Sequence, residues 1–467
     1  MSDEIAYMTA LEVRGAIAAK ELSPVEVAEA TLAHAAGLEP KLNAFTEMTP
    51  EVALAAARQA EKKLMAGEAT GLLEGVPVSV KELVPMKDVK WTMGSRVMAD
   101  NVADFDAPSV RRLREHGAVI IGKTTTSEFG CKAVGDSPLH GITHNPWKLG
   151  KTPGGSSAGG AASVAAGTTP LALGTDGGGS IRIPASFCGL VGVKAQFARV
   201  PTYPVSATMT LSHQCPMART VRDAALMLTA LAGHDRQDPF SVAELVPDFL
   251  GACEASVAGM KIAWSPTLGY ARPLPEVVEI CEGVAKAFED MGCAVEQVET
   301  VMDDPVDIWN AEFYAGVGTR LKETMEKTPE LLDPTVLAML KDSLDMNIED
   351  YIANAFRRYE FREATRLFFE DYDLLLSPAL PVPALDAGTD MPTGFPDDRN
   401  AVSWTYYTYP FNLSGQPAAS VPAGFAADGL PVGLQMVSKI NREVDIFRAA
   451  AALEEARPWA DARPPLA

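Results

Sequence analysis

Apolar and polar positions along this chain switch repeatedly between a strand-like and a helix-like rhythm. Short apolar runs at Gly75–Val80 (closed by Lys81), Ala118–Ile121, Met260–Trp264, Asp373–Leu376 and Pro431–Val437 predict buried strands. Between them, amphipathic stretches predict helices over Pro108–His116 (stopped by Gly117), Thr220–Ala232, Pro275–Met291 and Asn441–Ala456. Nearer the N-terminus, Ser23-Pro24-Val25-Glu26 reads as a capping box with proline at the first helical position, and Thr49-Pro50-Glu51 opens a second helix the same way. This alternation predicts an α/β architecture around a largely central sheet. From about residue 303 to 371 the pattern turns helical with no evident strand, an excursion expected to cover one face. No repeat, low-complexity tract or long linker interrupts the chain. One domain over residues 1–467 is expected, with a helical region over 1–70 and a core over 71–240.

Composition narrows the function classes. With 61 Asp+Glu against 40 Lys+Arg the net charge is −21, which repels phosphate backbones, so no nucleic-acid partner is expected. The longest uncharged stretch, between Lys151 and Asp176, is rich in Gly, Ser, Thr and Ala and holds Pro153 and Pro170. It is too polar to span a bilayer, so no membrane association is expected. Asp3 and Glu4 give the N-terminus the wrong charge for a targeting peptide. Cys131, Cys188, Cys215, Cys253, Cys281 and Cys293 are scattered without a CxxC spacing, as free thiols in a reducing compartment would be. A cytoplasmic location follows as the expectation.

The chemistry concentrates in Lys151–Gly189, where two Gly/Ser clusters, Gly154–Gly160 and Gly177–Ser180, flank a small-residue helix (about Ala158–Ala166) and a short strand (Leu171–Gly174). Two turns nearly free of side chains, brought together by a helix–strand return, can aim hydroxyls and backbone N–H groups at one point. A phosphate cradle of the P-loop kind would require Gly-Lys-Ser/Thr, and neither cluster has that lysine. Gly155-Ser156-Ser157-Ala158-Gly159 matches GxSxG, but a hydrolase of that design needs its histidine late in the chain. Only His213 and His234 follow, which disfavours a Ser-His-Asp arrangement. A third option is a serine nucleophile with a lysine base. Such a lysine must be buried to stay neutral; Lys81 closes an apolar strand, where it also reads as a surface lysine at a strand end.

Taken together, Gly75–Glu82, Thr152-Pro153-Gly154-Gly155-Ser156-Ser157 and Thr175–Ser186 resemble the amidase signature family, as do Asn145-Pro146-Trp147 and Asn412–Ala418. The resemblance spans most of the chain. It implies a single large domain with a central mixed β-sheet flanked by α-helices on both faces. It also implies a Ser–cis-Ser–Lys triad with Ser180 as nucleophile, Ser156 as the bridging serine on a cis peptide bond, and Lys81 as base. Gly177, Gly178, Gly179 and Ser180 would then offer backbone N–H groups to the oxyanion. Gly177 occupies the variable position of the family's Asp-x-Gly-Gly-Ser, which predicts a looser turn than usual. Ser157, Asp176 and Arg182 are candidate supports of the triad, each equally readable as ordinary turn or surface polarity.

Other residues compete for attention. His140 and His144 have an i, i+4 spacing with Asp136 nearby, but Pro138 and Gly141 argue against a helix, and the family works without metal. No metal or other cofactor is expected. Cys188 reads as a small buried hydrophobe rather than a second nucleophile. Five of the eight residues from 404 to 411 are aromatic (Trp404, Tyr406, Tyr407, Tyr409, Phe411). With Trp309, Phe313 and Tyr314 they could line an apolar substrate pocket, and core packing explains them equally well. The resemblance implies hydrolysis of a small-molecule carboxamide, apolar or aryl, with esters or carbamates as further substrates. The sequence carries no sign of the assembly state, for which a homodimer is the working expectation. The alternative within the family is the glutamine-hydrolysing component of a tRNA-dependent amidotransferase, its A subunit.

Overall fold

The structure, a computed structural model, describes residues 5–394 and 400–466. Asp3 and Glu4, on which the reading of the N-terminus rests, lie outside the described residues.

Thirteen strands are formed among these residues: β1 (Phe45–Met48), β2 (Pro77–Lys81), β3 (Val119–Thr124), β4 (Asp136–Ser137), β5 (Gly141–Ile142), β6 (Leu171–Asp176), β7 (Val191–Lys194), β8 (His213–Ala218), β9 (Lys261–Trp264), β10 (Ala294–Gln297), β11 (Leu374–Pro378), β12 (Ala418–Phe425) and β13 (Pro431–Ser438). Eleven of them build one sheet in the order β1-β3-β2-β6-β8-β7-β12-β13-β11-β9-β10. The sheet is mixed. β3, β2 and β6 run parallel, as do β11, β9 and β10, and antiparallel pairs join them through the middle.

Alternation along the strands shows that both faces are covered. Val119 and Ile121 of β3 pack with Ala28, Ala35, Ala53 and Ala57 of the Pro24–Leu42 and Pro50–Ala66 helices, whereas Ile120 joins the cluster containing Val110 and Leu113. Leu375 of β11 packs with Phe369, Tyr407 and Phe411, whereas Leu374 and Leu376 lie with Val277 and Cys281. This is the α/β fold that the residue pattern implies. The stretch from 303 to 371 is helical, with Val306–Lys327, Pro334–Leu344 and Ile348–Asp371 and no strand. Among the described residues no helix is long and apolar enough to cross a membrane.

The helix starts are partly as read. Ser23 caps the Pro24–Leu42 helix by accepting from the Val25 and Glu26 N–H groups, but its hydroxyl donates to Glu61, and the return bond from Glu26 is not made. Thr49 precedes the Pro50–Ala66 helix without capping it. The complete reciprocal box is Thr9–Glu12, ahead of the Ala10–Ala18 helix.

Candidate active site

Parallel pairing of β2 with β6 brings their C-terminal ends side by side, the edge at which open α/β sheets collect ligands. Ser79 and Lys81, two residues apart on β2, point the same way: Ser79 Oγ lies 3.1 Å from Ser163 Oγ, and Lys81 Nζ lies 2.7 Å from Ser156 Oγ. The Gly155–Ser156 peptide is cis. Lys81 Nζ also donates to Thr175 Oγ1 at 2.8 Å. Lys81 is fully buried, and burial pulls its pKa well below the ordinary lysine value against a weaker opposing field from Asp176.

β6 runs directly into the second turn. Asp176 is fully buried and receives Arg182 through Nε and Nη2, each at 3.0 Å, and Asn412 Nδ2 at 2.9 Å. Burial alone would raise the carboxyl pKa, but Arg182, Lys194 and Asn412 hold it well below the usual carboxylate range. Arg182 continues to Thr408 O, Gln435 Oε1 and Asn412 Oδ1 at 2.8, 2.7 and 2.7 Å. Ser157 Oγ bridges to Thr175 O at 3.2 Å, and its N–H donates to Ser180 O at 3.1 Å. All three candidate supports are thus buried and partnered, which removes their reading as surface polarity. Removing one partner of a buried ion pair strands the other charge, typically costing about 3–5 kcal/mol. Arg182→Ala should therefore lower stability by about that amount in chemical unfolding. A loss below about 1 kcal/mol would contradict the role given to the pair.

Two expectations for the turn change. Gly179 N–H is committed to Asp176 Oδ1 at 2.8 Å, so it braces the turn and is not free for an oxyanion. The N–H groups of Gly177, Gly178 and Ser180 meet no acceptor among the described residues. Nor is the turn loose at Gly177: a Cβ there would come 2.8 Å from the Phe313 ring, and one on Gly178 would come 2.4 Å from Trp309. The aromatic pair fills the space that side chains would take. Finally, no hydrogen bond joins the Ser180 and Ser156 hydroxyls among the described residues, although both line the same cavity.

That cavity has a volume of about 400 Å³, within the range of small-molecule sites. Its walls come from the 83–98 segment (Leu83, Trp91, Met93), the 202–208 loop and the Val306–Lys327 helix (Phe313, Val317, Leu321). Arg320 is the one charged residue lining it among the described residues, and its Nη2 donates to Val205 O at 2.8 Å. Trp404, Tyr406, Tyr407, Tyr409 and Phe411 are core residues and do not line this cavity. Of the aromatic residues singled out in the sequence, Phe313 alone reaches it, while Trp309 lies beside Gly178 and Ser180 in a small adjoining space.

His140 pairs with Thr92 Oγ1 at 3.1 Å, and His144 is tied through its backbone N–H to Leu42 O at 2.9 Å. Among the described residues no group of three or more His, Cys, Asp or Glu is placed to hold a metal ion. Cys188 is buried, its thiol pKa pushed up by burial, and it donates to Pro153 O at 3.5 Å. It is the small buried side chain expected.

A family model described as Amidase matches residues 26–447. The chain belongs to the amidase signature family. It is 36% identical over 465 residues to an acylamidase of Rhodococcus erythropolis, covering 98% of this chain and 97% of that one. It is also 34% identical over 486 residues to the A subunit of the glutamyl-tRNA(Gln) amidotransferase of Gloeobacter violaceus, covering 98% of each. Among solved structures, a bacterial aryl acylamidase of the amidase signature family superposes with a TM-score of 0.91 at 29% identity, over 97% of both chains. This amidase signature chain is an amide-hydrolysing enzyme with the mixed α/β fold of its relatives.

Two features of the site were not read from the sequence. Thr175 as a partner of Lys81 stood inside a quoted motif, next to Asp176, and its position at the end of β6 was the available signal. The approach of Trp309 to the Gly177–Gly178 backbone depends on a helix far along the chain and had no local signal.

Proposed function

We propose that this enzyme cleaves the C–N bond of small apolar or aryl carboxamides through a Ser180–Ser156–Lys81 relay and an acyl-enzyme. The observation that carries the relay is the wholly buried Lys81 amine 2.7 Å from Ser156 Oγ. A neutral amine there has two N–H donors for Thr175 and one lone pair for the Ser156 proton. Lys81 accepts that proton as Ser156 accepts one from Ser180, and Ser180 Oγ attacks the carbonyl carbon. The link between the serines closes with substrate bound, as catalytic hydrogen bonds often tighten only in the Michaelis complex. The N–H groups of Gly177, Gly178 and Ser180 stabilise the oxyanion. The relay returns its proton to the departing nitrogen, the amine leaves, and water hydrolyses the ester to restore Ser180.

The apolar cavity supports the substrate class. Leu83, Trp91, Phe313, Val317 and Leu321 would bury an acyl or aryl group, and the 303–371 excursion, through its first helix, would set acyl preference. The similarity to glutamyl-tRNA(Gln) amidotransferases keeps glutamine as the second reading. Glutamine, however, brings a charged α-ammonium, and the cavity is lined by no Asp or Glu among the described residues to pair with it. A panel of anilides, primary amides, esters, carbamates and glutamine separates the two. The apolar anilides and amides are expected to exceed glutamine in kcat/KM by at least about 100-fold, as an unpaired buried charge would impose. Comparable turnover of glutamine would overturn the assignment.

A further inference from the structure

The backbone of the nucleophile turn is held at four consecutive carbonyls, three of them from distant parts of the chain and one by a local bond. Asp176 O accepts from His213 Nδ1 at 3.1 Å and from Asn412 Nδ2 at 3.1 Å; Gly177 O accepts from Trp309 Nε1 at 2.9 Å. Gly178 O accepts from Thr408 Oγ1 at 2.6 Å, and Gly179 O from Ile183 N–H at 2.7 Å. In a trans peptide the C=O of one residue and the N–H of the next point in opposite directions. Each clamp on a carbonyl therefore aims the following N–H. The Asp176 clamp aims Gly177 N–H, the Trp309 clamp aims Gly178 N–H, and the Ile183 bond aims Ser180 N–H. The Thr408 clamp aims Gly179 N–H, which is the one that lands on Asp176 Oδ1.

A run of three glycines has no side chains of its own to resist rotation of these peptide planes. The resistance comes from elsewhere in the chain, and Trp309 is the element best placed to supply it. It is buried, its ring backs onto Gly178 at the position a Cβ would take, and it stacks on Tyr409 and packs against Phe313 and Tyr314. The indole N–H donates to Gly177 O at 2.9 Å.

We propose that Trp309 is a positioning residue of the oxyanion site: its indole N–H locks the Gly177–Gly178 peptide plane so that Gly178 N–H is pre-aimed at the developing oxyanion. This rests on the Ser180 reading above. Because the oxyanion forms only in the transition state, losing the lock should lower kcat and leave KM nearly unchanged. Removing an oxyanion donor outright costs roughly 10²–10³ in kcat, so releasing one donor to rotate should cost about tenfold.

The test compares wild type with Trp309→Phe, which keeps an aromatic ring and deletes the N–H, and with the nearly isosteric Thr408→Val. The readouts are kcat and KM on a chromogenic anilide, Ki for a matched trifluoromethyl ketone that captures Ser180 as a tetrahedral adduct, and labelling by a fluorophosphonate. Trp309→Phe is expected to lose about tenfold in kcat with KM within about twofold, to weaken the ketone about tenfold, and to keep its Ser180 label. Thr408→Val releases only the carbonyl of a peptide whose N–H stays bound to Asp176, so its kcat should fall by less than about twofold. If Trp309→Phe does not fold, Trp309→Met, which also lacks the N–H, takes its place. A labelled Trp309 variant in which kcat is unchanged, or in which KM and the ketone Ki rise together, would reduce Trp309 to packing and overturn the proposal. Absence of a Ser180 label in wild type would instead remove the nucleophile assignment, and the clamp with it.

Discussion

Ser180→Ala is expected to lower amide turnover by at least about 10⁴-fold while leaving the fold as stable as wild type. The loss is set by the chemistry. Without Oγ there is no acyl-enzyme, and only cavity binding and the N–H groups of the turn remain, which in serine hydrolases preserves a small residual rate. The stability half of the expectation comes from the structure. Ser180 Oγ makes no hydrogen bond to the protein among the described residues, so alanine leaves no buried partner unsatisfied. Its backbone contacts, Ser180 O with Ser157 N–H among them, do not involve the side chain. The shift in unfolding free energy should stay within about 0.5 kcal/mol. Steady-state kinetics and denaturant unfolding check the two halves separately. Residual turnover within 100-fold of wild type would show that another group attacks the carbonyl.

Lys81→Ala should remove most activity as well, by about 10²–10⁴-fold, and change its pH dependence. Burial disfavours the ammonium form, so Lys81 loses its proton well below the ordinary value of about 10.4. Below that point it is charged and has no lone pair to accept a proton. Above it the amine is neutral and the relay can run. Wild-type kcat/KM should accordingly rise with pH through a limb that reports this group in the free enzyme and lies well below the ordinary lysine range. In Lys81→Ala the limb should flatten. Amides should suffer more than matched esters, because a departing amine requires the returned proton and an alkoxide requires it less. Lys81→Arg should not restore activity, since guanidinium stays protonated across the accessible range. Equal losses on amide and ester with the limb intact would place the base elsewhere.

The difference between what was legible in the sequence and what was not follows the range of the forces involved. β2 was readable because Val78 and Val80 are β-branched and apolar and Lys81 closes the run. The Pro108–Glu115, Val221–Leu231 and Pro275–Asp290 helices were readable to within a residue or two from periodicity and end signals. β8 was not, because His213-Gln214-Cys215-Pro216-Met217-Ala218 has neither alternation nor β-branched residues and is a strand by virtue of its neighbours β6 and β7. β12 hid behind Pro422 and Gly424, where its register shifts against β13. At the site, the local motifs named Lys81, Ser156 and Ser180; the two serines line one cavity and Lys81 lies buried behind Ser156. Of the supports that come from a distance, Asn412 opens a quoted motif that does not say what it holds, while Gln435 on Arg182 and Trp309 and Thr408 on the turn have no local pattern to betray them. Gly179 was misread for the same reason: nothing in Gly177-Gly178-Gly179 says which N–H will face the Asp176 carboxylate.

The claim that Ser180 is the atom that carries the acyl group is tested most directly by locating a covalent adduct. Wild-type enzyme treated with a fluorophosphonate, digested and sequenced by mass spectrometry should carry one added phosphonyl group per chain, on Ser180. A label found on Ser157 or Cys188 instead, or no label on a fully active enzyme, would contradict the Ser180–Ser156–Lys81 assignment.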